Sequence, residues 1–327
     1  MDLAALIREI GRGAEGARDI SRADALQLYG AILDGQVPEL EQGAIAIALR
    51  MKTETVDEMA GFLAAANERL PALQRPAGPL RPIVIPTYNG ARRSANLTPL
   101  LTLLLQRFGV PVLVHGLSDD YGRVTSEQIF TAFGVPPCTS VAQAQLAMDD
   151  GGLAYVPLPL LAPGLDRQLA LRSRLGLRNS AHSLVKMLDP FHGNSLLLAA
   201  ATHPDYITSM RTILTIGGAH ALLLRGTEGE PFANPKRRPV IEHLHDGISE
   251  ILFEAERDSL RVLPQLPETC DASATVAWMR GVLAGEAPLP TPIADQLACC
   301  LYACGRASDV NQAKALVAVD SKALACG

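Results

Sequence analysis

Residues 83–116 constrain the fold more than any other part of the sequence, because they place one helix between two apolar strands. They read IVIPTYNGARRSANLTPLLTLLLQRFGVPVLVHG: a strand, a turn at residues 86–91, a helix, and a strand that ends at His115-Gly116. Strand, helix and strand in succession predict a parallel α/β unit. The turn before such a helix is a common phosphate site, because free backbone N–H groups and the helix dipole point there. The turn is therefore a candidate anion site, with Arg92 and Arg93 beside it.

The composition excludes some classes of protein. The chain has 327 residues, 48% apolar and 19% charged, which is typical of a globular protein with a large core. Its formal net charge of −5 excludes a uniformly basic nucleic-acid protein but allows a local basic patch. The first residues lack the pattern of a signal peptide, and no stretch approaches the ~20 apolar residues that span a bilayer. We therefore expect a soluble, cytoplasmic protein without a membrane partner.

The order of helical and strand patterns predicts two domains. Residues 1–75 read as helices alone, and prolines and glycines at residues 71–82 mark a boundary. Residues 80–160 and 201–327 alternate strands and helices, so we expect them to form an α/β domain with a mainly parallel central sheet. Residues from about 164–200 return to helix and are expected to complete the N-terminal helical domain.

The N-terminal helices carry their own start signals and a strong apolar character. Ser21 precedes one helix, and either Thr53 or Thr55 precedes another, in the position that caps free N–H groups. These helices are too apolar to stand as a solvated hairpin and need a partner surface. We therefore expect a homodimer formed through the N-terminal helices.

Three clusters of cations depart from the acidic average. The longest has five cations and no acid within twenty residues. The clusters are Arg92 and Arg93; Arg167, Arg172, Arg174, Arg178 and Lys186; and Lys236, Arg237 and Arg238, between two prolines. Solvated helix faces normally mix signs, so an unmixed run favours anion binding, with a solvated face as the alternative. Prolines on both sides predict that the third cluster is extended and exposed.

Taken together, these features resemble anthranilate phosphoribosyltransferase and its nucleoside phosphorylase relatives over nearly the whole chain. That family's GTGGDG turn, which wraps pyrophosphate, corresponds to residues 86–91 here, and its Asn-x-Ser/Thr element to residues 96–99. Its Lys-His-Gly element corresponds to Val114, His115 and Gly116. The resemblance implies a residual phosphate site at Thr87, Asn89, Gly90, Asn96, Thr98, His115 and Gly116.

This sequence differs from that family at residues that the family's reaction needs. Pro86 removes an N–H donor, Tyr88 adds bulk, and Val114 replaces a fixed positive charge. The acidic pair that binds magnesium in the family falls on Pro231 and Phe232, which cannot ligate a hard cation. Glu228 and Glu230 lie nearby as possible substitutes for that pair. Since phosphoribosyl transfer needs metal and cations to neutralise the leaving pyrophosphate, we expect no catalytic residues, no metal and no cofactor.

Further motifs are similar to the YbiB-type group of anthranilate phosphoribosyltransferase-like proteins. They are PTYNGAR at residues 86–92, NLTPLL from Asn96, LRNSAH at 177–182, HPDY at 203–206 and GTEGEPFANPKR at 226–237. The resemblance implies a dimer that binds DNA or RNA with little sequence preference through the three cation clusters and does not act on anthranilate. The alternative is a phosphoribosyltransferase or phosphorylase with another substrate, in which Arg172 binds an acidic acceptor and His182, Ser183 and Lys186 line a base pocket.

Overall fold

The chain divides into two compact units, each with its own core. The computed structural model describes residues 2–13, 15–150, 152–258 and 264–325, with side chains to residue 320. The helical unit comprises Met1–Ala72 and Leu158–Pro190, and the α/β unit comprises Leu73–Pro157 and Phe191–Gly327.

The helical unit is built from helices on both of its chain segments. They are α1 (Leu3–Ile10), α2 (Arg22–Leu33), α3 (Glu39–Lys52), α4 (Val56–Asn67), α8 (Leu158–Leu161), α9 (Pro163–Leu175) and α10 (Ala181–Leu184), followed by a 3-10 turn at Val185–Met187. Helices α2 and α4 pack closely, with the rings of Tyr29 and Phe62 stacked at 4.6 Å between centroids. Gly61 permits this approach, because a Cβ there would lie 2.5 Å from the Arg22 carbonyl oxygen.

Two helices of this unit begin just after residues that the sequence analysis identified as candidate caps. Ser21 Oγ accepts a hydrogen bond from Asp24 N at 3.1 Å. Of the two threonines that could start α4, Thr55 is the cap: its hydroxyl accepts from Glu58 N, and its own N–H donates to the Glu58 carboxylate at 2.8 Å. That carboxylate is fully buried and pairs with Lys52 Nζ at 2.8 Å. The reciprocal bonds of a capping box satisfy N–H groups at the helix start.

The α/β unit has one seven-stranded sheet, in the order β3-β2-β1-β4-β5-β6-β7. The strands are β1 (Ile83–Thr87), β2 (Val112–Gly116), β3 (Leu153–Pro157), β4 (Leu196–Ala201), β5 (Ala221–Arg225), β6 (Ile241–His245) and β7 (Ile248–Phe253). The first five in chain order are parallel, and β6 and β7 are antiparallel additions at one edge. The helices of this unit are α5 (Thr98–Arg107), α6 (Ser126–Phe133), α7 (Val141–Asp149), α11 (Pro204–Ile216), α12 (Ala272–Ala284), α13 (Thr291–Ala303) and α14 (Val310–Ala325). A helical unit plus an α/β unit with a mainly parallel sheet is the predicted fold class.

The prediction of helix through residue 200 is wrong at its end. Residues 196–201, Leu-Leu-Leu-Ala-Ala-Ala, form the fully buried strand β4 between β1 and β5. A short, uniformly apolar run has no period that separates a buried strand from a buried helix, and alanine favours helix in isolation. Here the residues form a strand because they pair with β1 on one side and with β5 on the other.

No helix among the described residues is both long enough and apolar enough to cross a membrane.

Candidate functional site: an anion-binding turn and a group of cations

The turn after β1 lies where the order of strands in the sheet reverses. Strand β1 has β2 on one side and β4 on the other, and the β1–β4 ladder ends at Val84 and Leu197. Beyond that pair β1 runs on for three residues to Thr87 without pairing to β4. Ligands of open α/β sheets bind at the carboxyl ends of strands at such a reversal. The geometry therefore provides a crevice with backbone N–H groups at its wall.

The carboxylate of Glu230 occupies this turn. Glu230 is fully buried, and its Oε1 atom accepts hydrogen bonds from Asn89 N at 2.7 Å and Gly90 N at 2.8 Å. Its Oε2 atom faces four side-chain donors: the Thr87 hydroxyl, the Thr98 hydroxyl at 3.3 Å, Asn96 Nδ2 at 3.4 Å and the Ser126 hydroxyl at 3.4 Å. Backbone N–H groups and hydroxyls are the donors that a bound phosphate would use. An anion of the chain itself therefore fills the position.

The carboxylate of Glu228 binds the next part of the same turn. Its Oε1 atom accepts from Arg93 N at 2.9 Å and from Ser94 N at 3.1 Å, and its Oε2 atom accepts from Arg92 N at 3.3 Å. Arg123 Nη1 lies 3.8 Å from that Oε2 atom. The backbone of the first cation cluster therefore binds an internal acid, while the side chains of Arg92 and Arg93 are exposed.

A tight turn after β5 directs both carboxylates to the crevice. Glu230 N donates to the Thr227 carbonyl at 2.9 Å, and the two residues between them have positive φ, 53° at Glu228 and 95° at Gly229. Positive φ at both central positions favours glycine. A Cβ at Gly229 would also lie 2.3 Å from Asn89 Nδ2. Glycine is therefore required between the two acids.

The structure brings five of the seven predicted phosphate-site residues around Glu230: Thr87, Asn89, Gly90, Asn96 and Thr98. The other two, His115 and Gly116, lie at the end of the neighbouring strand β2. His115 Nδ1 is hydrogen-bonded to the Tyr88 hydroxyl at 2.6 Å, and both side chains are buried. The sequence reading did not foresee that the site is filled.

Glu228 and Glu230 do not fit the role of magnesium ligands. Their carboxylate oxygens face N–H and O–H donors, which occupy the lone pairs that a hard cation would need. Phe232, at the family's acidic position, is fully buried. The residues present therefore do not fit a magnesium–pyrophosphate complex.

In the helical unit, three cations of the second cluster act on the charge state of His182. Burial is the largest cause of the lowered pKa of His182, about 3, and the positive charges of Arg178, Arg172 and Lys186 lower it further. The hydrogen bond with the Asn179 backbone opposes this shift. The three cations come from α9, the turn after it and the 3-10 turn. We call Arg172, Arg178 and Lys186 the His182 cation group.

The remaining cations of that cluster contact residues of the N-terminal helices. Arg167 Nη2 donates to the Leu33 carbonyl at 2.6 Å, and Arg174 lies 3.1 Å from the Glu39 carboxylate. The Arg174 pair is largely exposed, so it contributes little to stability. These two side chains therefore take part in contacts within the helical unit.

The third cluster is not extended as predicted. Arg237 N donates to the Asn234 carbonyl at 3.0 Å, which closes a turn, and Lys236 and Arg237 are exposed. Arg238 instead pairs with Asp295 through its guanidinium, and its backbone N–H donates to Glu256 at 2.8 Å. Asn234, the residue before the first of the two prolines, helps to bend the chain here, because its side-chain oxygen also accepts a hydrogen bond from Lys236 N.

A cavity of about 750 Å³ lies at the carboxyl ends of β4 and β5. Cations and acids share its lining: Arg211, Arg225, Arg237 and Arg238 with Glu228, Glu242 and Glu256. Arg211 is paired with Glu242 at 2.6 Å, whereas Arg225 is exposed at the end of β5. Sequence reasoning singled out neither Arg211 nor Arg225, because each is an isolated cation in the chain.

Comparison with known proteins places the molecule among transferase-like chains. Residues 4–69 match the model of the glycosyl transferase family, helical bundle domain. The chain is 43% identical over 318 residues to YbiB, an uncharacterised protein of Escherichia coli (strain K12), with coverage of 97% of this chain and 99% of that relative. It is 26% identical over 328 residues to anthranilate phosphoribosyltransferase of Rhodopseudomonas palustris (strain BisA53), covering 97% and 94% of the two chains.

Solved structures share the fold over nearly the whole chain. Anthranilate phosphoribosyltransferase from Thermus thermophilus has a TM-score of 0.75 at 22% identity, covering 99% of this chain and 95% of that one. The Saccharomyces cerevisiae enzyme, in complex with PRPP and Mg, has a TM-score of 0.70 at 12% identity, covering 98% and 95%.

Proposed function

Because the chain belongs to the YbiB family of proteins on the anthranilate phosphoribosyltransferase scaffold, we propose that it is a homodimer that binds DNA or RNA without strong sequence preference. The observation that carries this proposal is the run of five cations without an acid from Arg167 to Lys186. Three of them, Arg172, Arg178 and Lys186, lie near enough to the half-buried His182 to lower its pKa. Five cations and no acid within residues 167–186 favour a local positive potential on an acidic chain.

Cations that face phosphates give affinity by counterion release and read no bases. The exposed side chains of Arg92, Arg93, Lys236 and Arg237 supply further positive charge on the α/β unit. A dimer presents each cation group twice, which raises the apparent affinity for a long polyanion. Binding is therefore expected to depend on strand charge and length rather than on sequence.

Self-association is supported by an apolar stripe on α3. Leu40, Ala44, Ile47 and Met51 follow at helical spacing, so they share one face of the helix. Leu40 and Met51 are 82% and 75% exposed within the single chain. Replacing Met51 with lysine is expected to shift the mass measured by light scattering after size exclusion from dimer to monomer, whereas Met148→Leu in the buried core is expected to leave it unchanged. A monomeric wild type would contradict this part of the proposal.

Phosphoribosyl transfer is the second candidate function, favoured by the shared scaffold and by the cavity next to Arg237. Glu230 weighs against it, because a fully buried internal carboxylate takes the donors that a pyrophosphate would need. Release of pyrophosphate from phosphoribosyl pyrophosphate and magnesium with an anthranilate-like acceptor would favour this candidate over the first.

The test is an anisotropy titration of a fluorescent single-stranded oligonucleotide at low salt. The double variant Arg172→Glu with Arg178→Glu is expected to weaken binding about tenfold or more, because it replaces attraction to phosphates with repulsion. The matched control is Arg12→Glu with Arg18→Glu, which changes net charge equally in the same unit but outside the cation clusters. Thermal melting verifies that both variants fold.

The proposal fails if wild-type protein does not bind at low salt. It also fails if the control double variant weakens binding as much as the double variant in the His182 cation group, since net charge alone would then account for the effect.

A further inference from the structure

Three histidines and a glutamate share one face of the sheet, away from the filled turn. His243 and His245 lie two residues apart on β6 and therefore point to the same side. His243 is opposite Glu250 on β7, and Ala221 of β5 is opposite Leu244, which brings His220 next to His245. The ring centroids of His243 and His245 are 4.4 Å apart. These residues lie at the amino end of β5, whereas the turn that contains Glu230 follows the carboxyl end of that strand.

Each nitrogen of His245 has a distinct environment. Its Nδ1 lies 3.1 Å from the Asp246 carboxylate, which fixes the hydrogen on Nδ1. Its Nε2 is buried, has no hydrogen-bond partner among the described residues, and lies 3.7 Å from a Glu250 carboxylate oxygen. The lone pair of Nε2 is therefore directed at a position beside Glu250.

The two ring nitrogens of His243 also differ, because one is hydrogen-bonded and the other is not. Its Nε2 is hydrogen-bonded to His220 Nε2 at 2.8 Å. Its Nδ1 is buried without a hydrogen-bond partner in the described part of the chain, on a side chain that is only 5% exposed. A buried nitrogen without a partner costs free energy, and a ligand that accepts its lone pair would remove that cost.

We propose that His243 Nδ1, His245 Nε2 and a carboxylate oxygen of Glu250 bind a divalent transition-metal ion, with Zn²⁺ as the expected occupant. One ligand atom from each of the three residues lies within 4.8 Å of the others. Zinc at about 2.0–2.2 Å from nitrogen and oxygen ligands requires these atoms to approach by about 1 Å, and Glu250 is exposed enough to move. Two histidines and a carboxylate leave a fourth position for water.

Hydrogen bonds to the ring nitrogens that would not bind the metal support this assignment. Metal-binding histidines donate their second ring N–H to a carboxylate or another acceptor, which sets the tautomer and the ring orientation. Asp246 takes this role for His245, and His220 takes it for His243. The sequence reading found no metal site because the three ligands follow no finger or ribbon spacing, and strand pairing brings them together.

The test is calorimetric titration of chelator-treated, full-length protein with ZnCl₂. Wild type is expected to bind one equivalent of Zn²⁺ per chain, and Glu250→Gln and His245→Ala are each expected to weaken binding at least tenfold. The matched control is His203→Ala, because His203 also lies beside an aspartate, with its Nδ1 3.4 Å from Asp205, but has no second histidine at ligand distance among the described residues. Glu250 is half exposed, so its variant is expected to fold.

Cobalt distinguishes this site from the cysteines. Protein loaded with Co²⁺ is expected to show d–d absorption without a thiolate charge-transfer band, and to lose it in Glu250→Gln. The proposal is overturned if wild type binds no stoichiometric Zn²⁺, if a thiolate band appears, or if the Glu250 and His245 variants bind as tightly as the His203 variant.

Discussion

The turn after β1 and the His182 cation group both carry groups that can bind anions, and they differ in what surrounds those groups. The turn after β1 receives the chain's own carboxylates, with Glu230 fully buried and bonded to Asn89 N and Gly90 N. The His182 cation group, Arg172, Arg178 and Lys186, has no acid within its stretch of sequence, and its charges add to burial in lowering the pKa of His182 to about 3. The turn is closed by an internal anion, whereas the cation group belongs to the surface that we propose binds phosphates.

The difference shows how a transferase scaffold can keep its fold while its phosphate turn becomes a structural element. A buried carboxylate with several N–H and O–H donors is stable only when the donors remain in place. Glu230 and the turn therefore stabilise each other, and the turn is no longer free to exchange ligands. The polyanion binding that we propose therefore depends on cations elsewhere in the chain.

The largest expected effect comes from removing the buried carboxylate. Glu230→Ala leaves the N–H groups of Asn89 and Gly90 and the surrounding hydroxyls without an acceptor, so the free energy of unfolding should fall by about 3–5 kcal/mol. Urea unfolding followed by the fluorescence of Trp278, the single tryptophan, measures this in the α/β unit. Exposed Glu268→Ala should change stability by less than about 0.5 kcal/mol. Equal effects of the two changes would show that Glu230 is not anchored as described.

The next effect tests whether the filled turn is still an anion site. Inorganic phosphate should restore part of the stability of Glu230→Ala, by about 1.4 kcal/mol at tenfold its Kd, because a ligand that binds only the folded state stabilises it. Wild type should show no such gain beyond that of an equal ionic strength of chloride, since Glu230 already occupies the donors. A phosphate-specific gain of the same size in wild type would mean that the turn is open.

A smaller effect is expected on the pH dependence of the unfolding free energy, and it tests the region around His182. The folded pKa of His182, about 3, lies below its unfolded value of about 6.5, so the unfolded chain binds more protons between these values. The stability contributed by neutral His182 is full above pH 6.5 and is lost as the pH falls towards 3. His182→Asn should therefore reduce the slope of unfolding free energy against pH by up to about 1.4 kcal/mol per unit, measured by circular dichroism in urea between these limits.

Identical pH slopes for wild type and His182→Asn would contradict the described environment of His182. Arg178→Gln serves as the companion variant: removing that cation should raise the pKa of His182 in an NMR titration, while burial keeps it below 6.5.

The sequence predicted the strands and helices whose patterns are long or clearly punctuated. The β1–α5–β2 succession and the cap at Ser21 follow from apolar runs and turn residues. Strand β4 was predicted as helix because its six apolar residues have no period. Strand β6, Ile-Glu-His-Leu-His, was not predicted because three of its five residues are polar, although the first four are buried.

The candidate site was predicted only in part, for a related reason. The family resemblance assigned Thr87, Asn96 and Thr98 to the phosphate turn, and they lie close together in the chain, at the end of β1 and around the start of α5. Glu230 reaches the turn from more than a hundred residues away, through the order of strands in the sheet. The signal that could have identified Glu230 is a pair of acids on either side of a glycine, just after β5. The carboxyl end of β5 lies at the same edge of the sheet as that of β1.

The salt dependence of oligonucleotide binding tests the central claim most directly. Anisotropy titrations with two single strands of equal length and different sequence should give log K values that fall linearly with log salt concentration. The three cations of one His182 cation group alone correspond to a slope of about −2, at about −0.7 per contact, and contacts by the other cations or by a second subunit make it steeper. The slope should be the same for both strands. Reversing Arg178 should make the slope smaller by about one contact. Binding that does not weaken with salt, or that differs strongly between the two sequences, would contradict a phosphate-binding surface built from the His182 cation group.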